Sequence, residues 1–473
     1  MHLNRKIAVI GTVLATTALS LSSYGVVAQD EMSVGIPATP TGYDELDQAL
    51  SADMPFAGTK VSIQTQWIAG EGDNFEETLK AFEAATGIDV QFDEIGSSHE
   101  TVLLTRVEGG APPDLAVQAQ PSAVVKYGQD GSIIDLCTIM DCEKLRADFP
   151  ATIGLYTDGD SVYGIPYKVD VKGVIWYPIQ AFADAGYEIP QTWDDLVALS
   201  DRIVADGGYP WCIGMENGTA TGWEATDWIE EILLRQAGPE VYDKWISHEI
   251  PFNSPEIKAA WDEAGRFFFT PGYVLGGNTA IVATSIRVPM DPMFDAFDAS
   301  KDNKPGCWMQ NIPFWYGPDF FPDKRASTDP NFQSQWVVGE DIGIFGIPPM
   351  DPAKGIPAEG SGDGLMVFND RPEVRAVAQF LATPEGIETW AQKGSAIGAN
   401  QNIPEDWYAG NYKTAVAAGI LADASSFSFD ASDLMPPAVG LGTFWSEVTN
   451  WISANGENTE QYLQAIDDSW PTE

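Results

Sequence analysis

The sequence predicts an α/β fold built on a parallel sheet. Short strands alternate with amphipathic helices over residues 59–118, and a β-α-β-α-β order places parallel strands between two layers of helices. The chain has 473 residues, of which 44% are hydrophobic and 11% aromatic, which excludes a disordered protein. This length favours two or more domains, or one large one, with enough apolar residues for a sizeable core.

The first elements follow from hydrophobic periodicity. Residues 59–67 alternate polar and apolar side chains, as a half-buried strand does, whereas Phe75, Leu79 and Phe82 share one face of a helix that Gly87 ends. In chain order the pattern predicts a strand over 59–67, a helix over 73–87, a strand over 88–92, a helix over 99–108 and a strand over 114–118. A polar lead over 29–56, with a helical patch at 43–50, precedes them.

Residues 165–177 predict one extended strand that crosses between domains. Lys168, Asp170 and Lys172 alternate with valines, and the run then becomes continuously apolar up to Tyr177. A helix over 179–185 follows. Next, Thr192 with an aspartate three residues later resembles a capping box at the start of a helix over 193–205.

The remaining chain mixes helices with irregular segments. The patterns predict helices over 223–236, 254–269 and 371–382, an irregular region over 289–335, and a glycine-rich turn over 360–364 before a strand over 365–368. Phe444 and Trp445 are expected within a C-terminal helix.

The N-terminus has the three zones of a secretory signal peptide. Basic residues 5 and 6 precede an apolar stretch over 7–21, and small residues end at Ala28. The apolar stretch is too short to span a bilayer. Because no cysteine lies near the cleavage point, we expect a periplasmic protein without a lipid anchor and without a later membrane span.

Charge excludes several classes of partner. The chain has 69 acidic and 25 basic residues, a formal charge of −44, which repels nucleic acid and anionic lipid head groups. Few basic residues are available to bind phosphates or carboxylates, so a neutral ligand is favoured. A saline habitat would explain the acidity equally well.

Several separate segments resemble the periplasmic sugar-binding proteins of ABC importers, the extracellular solute-binding protein family 1. They are the crossover run above, AFEAATGIDVQF followed by GGAPPDLAV, and LATPEGIETW. The α-glucoside-binding branch is the most similar, through CIGMENGTATGWEATDWIE (212–230), VYDKWISHEIPF (241–252) and SFSFDASDLMP (426–436). The resemblance covers about residues 57–470.

The resemblance implies a two-lobed, type II periplasmic binding protein fold whose hinge-linked lobes each have a central sheet flanked by helices. Lobe one would span 57–168 with 360–405 returning to it, and lobe two would span 169–359 with 406–473 returning to it. It also implies a monomer that binds a neutral oligosaccharide and docks on ABC permease subunits, with no cofactor and no metal.

The four cysteines predict two disulfides in an exported chain, and the sequence alone allows three pairings. Metal binding is the alternative, although no C-x-x-C motif occurs. The resemblance favours a local bridge between Cys137 and Cys142 and a long one between Cys212 and Cys307.

Sugars are bound by aromatic faces on their apolar C–H surface and by carboxylates or amides on their hydroxyl pairs. Ligands of α/β folds bind beyond the carboxyl ends of strands. Asp170, on the crossover strand, matches the acid that reaches the sugar in the family, while Lys168 and Lys172 are expected to pair with acids across the hinge. The predicted sugar-binding residues are Trp67, Glu71, Gln118, Gln120, Asp170, Trp223, Asp227, Trp315, Asp363 and Trp445.

Enzymatic motifs are few. The sequence has no G-x-S-x-G and no P-loop, and both mature histidines, His99 and His248, precede glutamate without completing H-E-x-x-H. Paired carboxylates of a secreted glycoside hydrolase stay possible in so acidic a chain, because their separation is a three-dimensional property. A surface lectin without a transport role is the other alternative.

The zoned N-terminus predicts that the exported protein begins at Gln29. Intact mass spectrometry of protein purified from the periplasm should give the mass of residues 29–473. A mass that retains residues 1–28 would contradict this.

Overall fold

The computed structural model describes residues 35–317 and 336–471. The predicted signal peptide, the first residues of the polar lead, residues 318–335 of the irregular region and the last two residues lie outside the described part. Within it, no helix is both long enough and apolar enough to cross a membrane.

The described residues form twelve strands and seventeen α-helices. The strands are β1 (Lys60–Thr65), β2 (Asp89–Glu94), β3 (Leu115–Gln118), β4 (Thr157–Asp158), β5 (Ser161–Val162), β6 (Ile165–Val171), β7 (Val174–Pro178), β8 (Gln310–Asn311), β9 (Ile342–Gly346), β10 (Ile356–Val367), β11 (Ile397–Gly398) and β12 (Ala424–Phe429). The helices are α1 (Asp44–Ala49), α2 (Gly70–Thr86), α3 (His99–Glu108), α4 (Pro121–Gln129), α5 (Cys142–Asp148), α6 (Ile179–Ala185), α7 (Trp193–Ala205), α8 (Trp223–Ala237), α9 (Pro239–Ile246), α10 (Pro255–Phe269), α11 (Gly277–Ala283), α12 (Pro372–Leu381), α13 (Glu388–Lys393), α14 (Tyr412–Asp423), α15 (Ala431–Leu434), α16 (Trp445–Ser453) and α17 (Thr459–Asp468).

The predicted β-α-β-α-β unit is confirmed. β1 pairs in parallel with β2 and with β3, with Val61 opposite Val90 and Ile63 opposite Leu115. The large sheet has the order β11-β6-β10-β3-β1-β2, and β12 pairs with β10. The helix predicted from Asp73 begins at Gly70 instead, so Glu71 lies in its first turn.

Two large hydrophobic cores give the molecule its two lobes. The first draws on buried residues from 43–167 and 365–403, and the second on residues from 175–347 and 431–466. The second lobe has a smaller antiparallel sheet of order β8-β7-β9, surrounded by helices. This is the two-lobed arrangement that the resemblance implied, whereas the predicted lobe boundaries stay predictions.

The prediction of a single crossover strand over 165–177 is wrong. The chain breaks into β6, which belongs to the large sheet, and β7, which belongs to the small one. Gly173 lies at the break with a φ of 65°, a conformation that favours glycine, and a Cβ there would lie 2.2 Å from an oxygen of Glu231. The break lets one continuous segment serve both lobes.

The glycine-rich turn predicted over 360–364 is also wrong, because these residues lie inside β10. A Cβ at Gly362 would lie 2.5 Å from the carbonyl oxygen of Lys168, and one at Gly364 would lie 2.3 Å from the ring of Tyr156. The glycines therefore permit close approach of neighbouring strands and rings, which is the other common use of glycine in a strand.

Three segments run between the lobes side by side. β10 pairs antiparallel with β6 and, at its N-terminal end, in parallel with β12. Near the second lobe, β6 is followed by Lys172, β10 contains Glu359, and β12 is followed by Asp430. The second lobe begins to pack around the three strands at these residues. We call this meeting point of the β6, β10 and β12 ends the hinge.

Local predictions around the lobes hold. The capping box at Thr192 and Asp195 is present at the start of α7. The helical patch at 43–50 forms α1, which packs on lobe one: Leu46 N–H donates to Gln379 Oε1 at 2.8 Å. Both disulfides, Cys137–Cys142 and Cys212–Cys307, are present as predicted.

The two disulfides close loops of very different length. The sequence separation is 5 residues for Cys137–Cys142 and 95 residues for Cys212–Cys307. By loop entropy, the double variant Cys212→Ala/Cys307→Ala should lose up to about 4–5 kcal/mol of unfolding free energy, and Cys137→Ala/Cys142→Ala about 2 kcal/mol. Chemical denaturation of both variants measures the difference. An equal or larger loss for the short bridge would contradict the prediction.

Candidate functional site

A cleft lies between the lobes, beyond the carboxyl ends of β1 and β3. Its empty volume, including the part open to solvent, is about 930 Å³, close to the upper end of small-molecule sites. Lobe one contributes residues that follow β1 and β3, the crossing strands contribute their central residues, and lobe two contributes the start of α8 and the loop at 313–315.

Eight of the ten predicted sugar-binding residues line this cleft. They are Trp67, Glu71, Gln120, Asp170, Trp223, Trp315, Asp363 and Trp445. Gln118 and Asp227 do not line it. The side-chain amide of Gln118 donates to that of Gln120, and Asp227 accepts from Lys172 Nζ at 2.7 Å. Both residues therefore position groups that face the cleft.

Asp170 lies near the C-terminal end of the crossing strand β6 and is buried. Its Oδ1 accepts from the backbone N–H of Val171 at 2.9 Å, and its two oxygens accept from the N–H of Trp315 at 3.1 and 3.2 Å. Burial raises the pKa of Asp170 to about 7, although Lys168 and Lys413 act against that shift. The carboxylate thus fixes the tryptophan loop of lobe two while facing the cleft.

Lys168 connects the crossing strand with two acids of the cleft. Its Nζ lies 3.2 Å from Glu71 Oε1 and 3.2 Å from Asp363 Oδ2. Burial alone would lower the pKa of Lys168, but the neighbouring carboxylates outweigh it and raise that pKa. Asp363 also accepts from Gln66 Nε2 at 2.8 Å. These acids are held in a network of bonds inside the cleft wall.

Lys172 makes the corresponding contacts with lobe two. Its ammonium binds Asp227 and Asp430, and all three side chains are buried. Burial would lower the pKa of Lys172, but Asp227 and Asp430 raise it well above its ordinary value. The expectation that Lys168 and Lys172 pair with acids around the hinge is therefore met by both residues.

The aromatic residues divide into two groups. Trp67 and Trp445 are almost completely buried, at 1% and 3% exposure, and Trp67 packs against Trp390. Trp223 and Trp315 are half-buried, with ring centroids 6.2 Å apart and planes at 50°. Both pairs line the cleft, and the second pair is the more exposed of the two.

Sequence reasoning did not select several residues that line the cleft, which are Ser97, Asn217, Arg287, Ser361, Asp430 and Asp433. One signal could have identified Asp430: alternating Ser and Phe over 425–429 predict a strand, and Asp is a preferred N-cap where a strand leads into a helix. Its side chain accepts from the N–H of Asp433 at the start of α15. Of the others, Ser361 lies in β10 and Asp433 in α15, whereas Ser97, Asn217 and Arg287 lie outside the strands and α-helices.

More acidic than basic residues line the cleft. Six acids and three bases line it: Glu71, Glu100, Asp170, Asp363, Asp430 and Asp433 against Lys168, Lys172 and Arg287. Among these bases, Lys168 and Lys172 are bound to carboxylates. The arrangement offers hydrogen-bond acceptors beside ring faces, as a ligand rich in hydroxyl groups requires.

Comparison with known proteins identifies the family. The family model described as bacterial extracellular solute-binding protein matches residues 67–388, more than half of the chain. The chain belongs to this family of solute-binding proteins.

Two relatives match over most of their length. The osmoprotective compounds-binding protein of Synechocystis sp. is 34% identical over 413 residues, 87% of this chain and 92% of that protein. The alpha-glucosides-binding periplasmic protein of Rhizobium meliloti is 32% identical over 424 residues, 87% of either chain.

Solved structures share the fold at low identity. A chitin oligosaccharide binding protein has a TM-score of 0.68 at 16% identity, covering 87% of this chain and 98% of that one. A maltose-bound T. maritima protein has a TM-score of 0.62 at 15% identity, with 87% and 98% coverage. The predicted two-lobed, type II periplasmic binding protein fold is confirmed.

The contacts of Lys172 lead to a stability prediction. Lys172→Gln should lower the unfolding free energy by about 3–5 kcal/mol near neutral pH, because Asp227 and Asp430 stay buried without their cation. Lys60→Gln removes an exposed ion pair with Asp89 and should change it by less than about 1 kcal/mol. Urea denaturation of both variants tests this, and equal losses would contradict it.

Proposed function

We propose that this solute-binding protein captures a neutral oligosaccharide in the periplasm, of an α-glucoside type such as maltose, sucrose or trehalose. The protein, acting as a monomer, then delivers the sugar to the permease subunits of an ABC importer. The observation that carries the proposal is the position of Asp170. This carboxylate lies on a strand that crosses between the lobes, and it lines the same cleft as two half-buried tryptophans.

Support for the ligand class comes from cleft chemistry and from the relatives together. Carboxylates accept from sugar hydroxyls, and the faces of Trp223 and Trp315 suit the C–H surface of a pyranose. An excess of acids disfavours an anionic ligand. The relatives at 34% and 32% identity are named for osmoprotective compounds and for alpha-glucosides, so both classes of solute belong in a binding screen.

Closure of the lobes supplies the mechanism. Asp170 lies on a crossing strand and also binds the backbone of Trp315 in lobe two, so a sugar that contacts Asp170 bridges both lobes. A ligand favours the closed form by as much as it binds that form more tightly than the open one. The closed form is then the state that the permease subunits recognise.

Binding without turnover is part of the proposal. Three of the carboxylates that line the cleft, Glu71, Asp363 and Asp430, are bound to lysine ammonium groups, so they are tied into ion pairs. A secreted glycoside hydrolase needs two carboxyls placed on opposite sides of the scissile bond. Sustained hydrolysis of a chromogenic α-glucoside by the pure protein would refute the binding role.

Asp170→Asn should weaken binding of the best disaccharide about ten-fold to a hundred-fold. A charged acceptor to a hydroxyl contributes roughly 1.5–3 kcal/mol, and each 1.4 kcal/mol is about ten-fold in affinity. Isothermal titration calorimetry measures the change. Asp195→Asn, at the exposed capping box, is the control and should bind as the wild type does. If Asp170→Asn binds with unchanged affinity, the carboxylate of Asp170 does not contact the sugar.

The pKa of Asp170 gives a pH dependence with a definite sign. Burial raises this pKa to about 7, so lowering the pH through that value protonates the carboxyl and removes the charged acceptor. Wild-type affinity should therefore fall as the pH falls from about 8 to about 6, by up to ten-fold per pH unit below the pKa. Asp170→Asn should show a flat profile over this interval. A wild-type affinity that rises on acidification would contradict the assignment.

A further inference from the structure

A second group of acids lies inside the hinge, separate from the carboxylates that contact Lys168. Glu230 of α8, Glu359 of β10 and Asp430 at the end of β12 are all buried, and one carboxylate oxygen of each lies within 4.8 Å of the other two. We call these three residues the hinge carboxylates. They come from three segments far apart in sequence, which is why sequence reasoning predicted no metal site.

Glu359 is the unusual member. Its side chain is fully buried, and neither of its carboxylate oxygens has a hydrogen-bond partner among the residues that the structure describes. By contrast, Glu230 Oε2 accepts from the N–H of Ala431 at 2.6 Å and from the hydroxyl of Tyr242 at 3.1 Å. Leaving a buried carboxylate without partners is costly, so Glu359 requires a compensating group.

The charge around the hinge carboxylates points to what that group is. Asp227 and Asp433 add two more buried carboxyls, and Lys172 is the cation bound within this set. Arg235 lies nearby but pairs with Glu231 and donates to the backbone oxygens of Ile347 and Pro348. Five carboxyls thus surround one ammonium, which leaves a deficit of positive charge in a buried place.

We propose that the hinge carboxylates bind a hard divalent cation, with calcium favoured over magnesium. Such ions prefer oxygen ligands alone, and calcium takes them at about 2.3–2.6 Å in flexible geometry. Two oxygens on one calcium ion are therefore at most about 5.2 Å apart, and the three oxygens, which all lie within 4.8 Å of one another, do not exceed that limit. Glu359 would be the ligand whose oxygens have no other partner.

Burial makes ionised carboxyls costly at this place. It raises the pKa of Glu359 and of Glu230 well above the ordinary value for a glutamate, with neighbouring carboxylates adding to the shift. A bound divalent ion would offset that cost and keep these carboxyls ionised near neutral pH. A proton shared between two of the carboxyls is the competing solution, and the experiment below separates the two.

The hinge also borders space outside the cleft. A second cavity is lined by Lys172, Glu231, Arg235 and Ala358, the last directly before Glu359, and its empty volume of about 760 Å³ includes space open to solvent. An ion at the hinge carboxylates would join the ends of β10 and β12 to helix α8 of lobe two. We therefore expect it to stiffen the hinge without contacting the sugar.

The test uses untagged purified protein that is treated with EDTA and exchanged into metal-free buffer. Addition of CaCl₂ should bind one equivalent, measured by calorimetry and by metal analysis after desalting. It should also raise the melting temperature by about 3 °C or more at about 100-fold excess over the dissociation constant, with a smaller effect of MgCl₂. Potassium chloride at equal ionic strength should leave the melting temperature unchanged.

Glu359→Gln should lose calcium binding and the calcium-dependent shift, while its metal-free form stays as stable as the metal-free wild type. Glu224→Gln is the matched control. Glu224 is also buried, and its carboxylate has no hydrogen-bond partner among the described residues. It lies on α8, the helix that carries Glu230, but is not one of the hinge carboxylates. This variant should keep the calcium response. Absence of stoichiometric calcium in the wild type, or equal calcium binding by Glu359→Gln, would overturn the proposal and assign a shared proton instead. Sugar affinity is measured separately, so failure here leaves the proposed function untouched.

Discussion

The ammonium groups of Lys168 and Lys172 are the constraint on which the rest of the molecule depends. Both are buried on the segment that crosses between the lobes, and each is bound to two carboxylates. Lys168 holds acids that line the cleft, and Lys172 holds acids that belong to lobe two. Because a buried charge without partners costs several kcal/mol, these contacts fix the crossing strand and the cleft wall together.

This constraint accounts for the shape of the site. Asp170 lies between the two lysines in sequence, and its neighbours in the strand point to the opposite face of the sheet. Its carboxylate therefore lies on the same face of the crossing segment as the two lysines, and it lines the cleft together with Trp223 and Trp315. An ion at the hinge carboxylates would act on the same crossing segments from the other side.

Much of the fold could be predicted from local pattern. The first three strands, helix α3, helix α7 with its capping box and both disulfides follow from periodicity, capping chemistry and resemblance. The two errors in strands share one cause. Gly173 was placed inside a continuous strand and the glycines of β10 in a turn, whereas a positive φ beside Glu231 and close strand approach decide their roles, and neither is visible without the partner segment.

The sequence could predict those site residues whose own side-chain chemistry suits a sugar, but not those whose role depends on a partner residue. Asp170 could be selected from the resemblance, and the tryptophans because aromatic rings beside polar groups at strand ends are typical of sugar sites. Asp227 and Gln118 were selected as such polar groups, yet they support neighbouring groups, since three-dimensional pairing decides which acid faces the ligand. The hinge carboxylates could not be predicted, because α8, β10 and β12 meet only in the folded chain.

Calorimetric titration of the purified protein with neutral disaccharides tests the central claim most directly. We expect saturable one-to-one binding of at least one α-linked disaccharide. We also expect a negative heat-capacity change from burial of the tryptophan faces, and weaker binding of β-linked or carboxylated analogues. Failure of every neutral disaccharide to bind, or tighter binding of a carboxylated sugar, would contradict that claim.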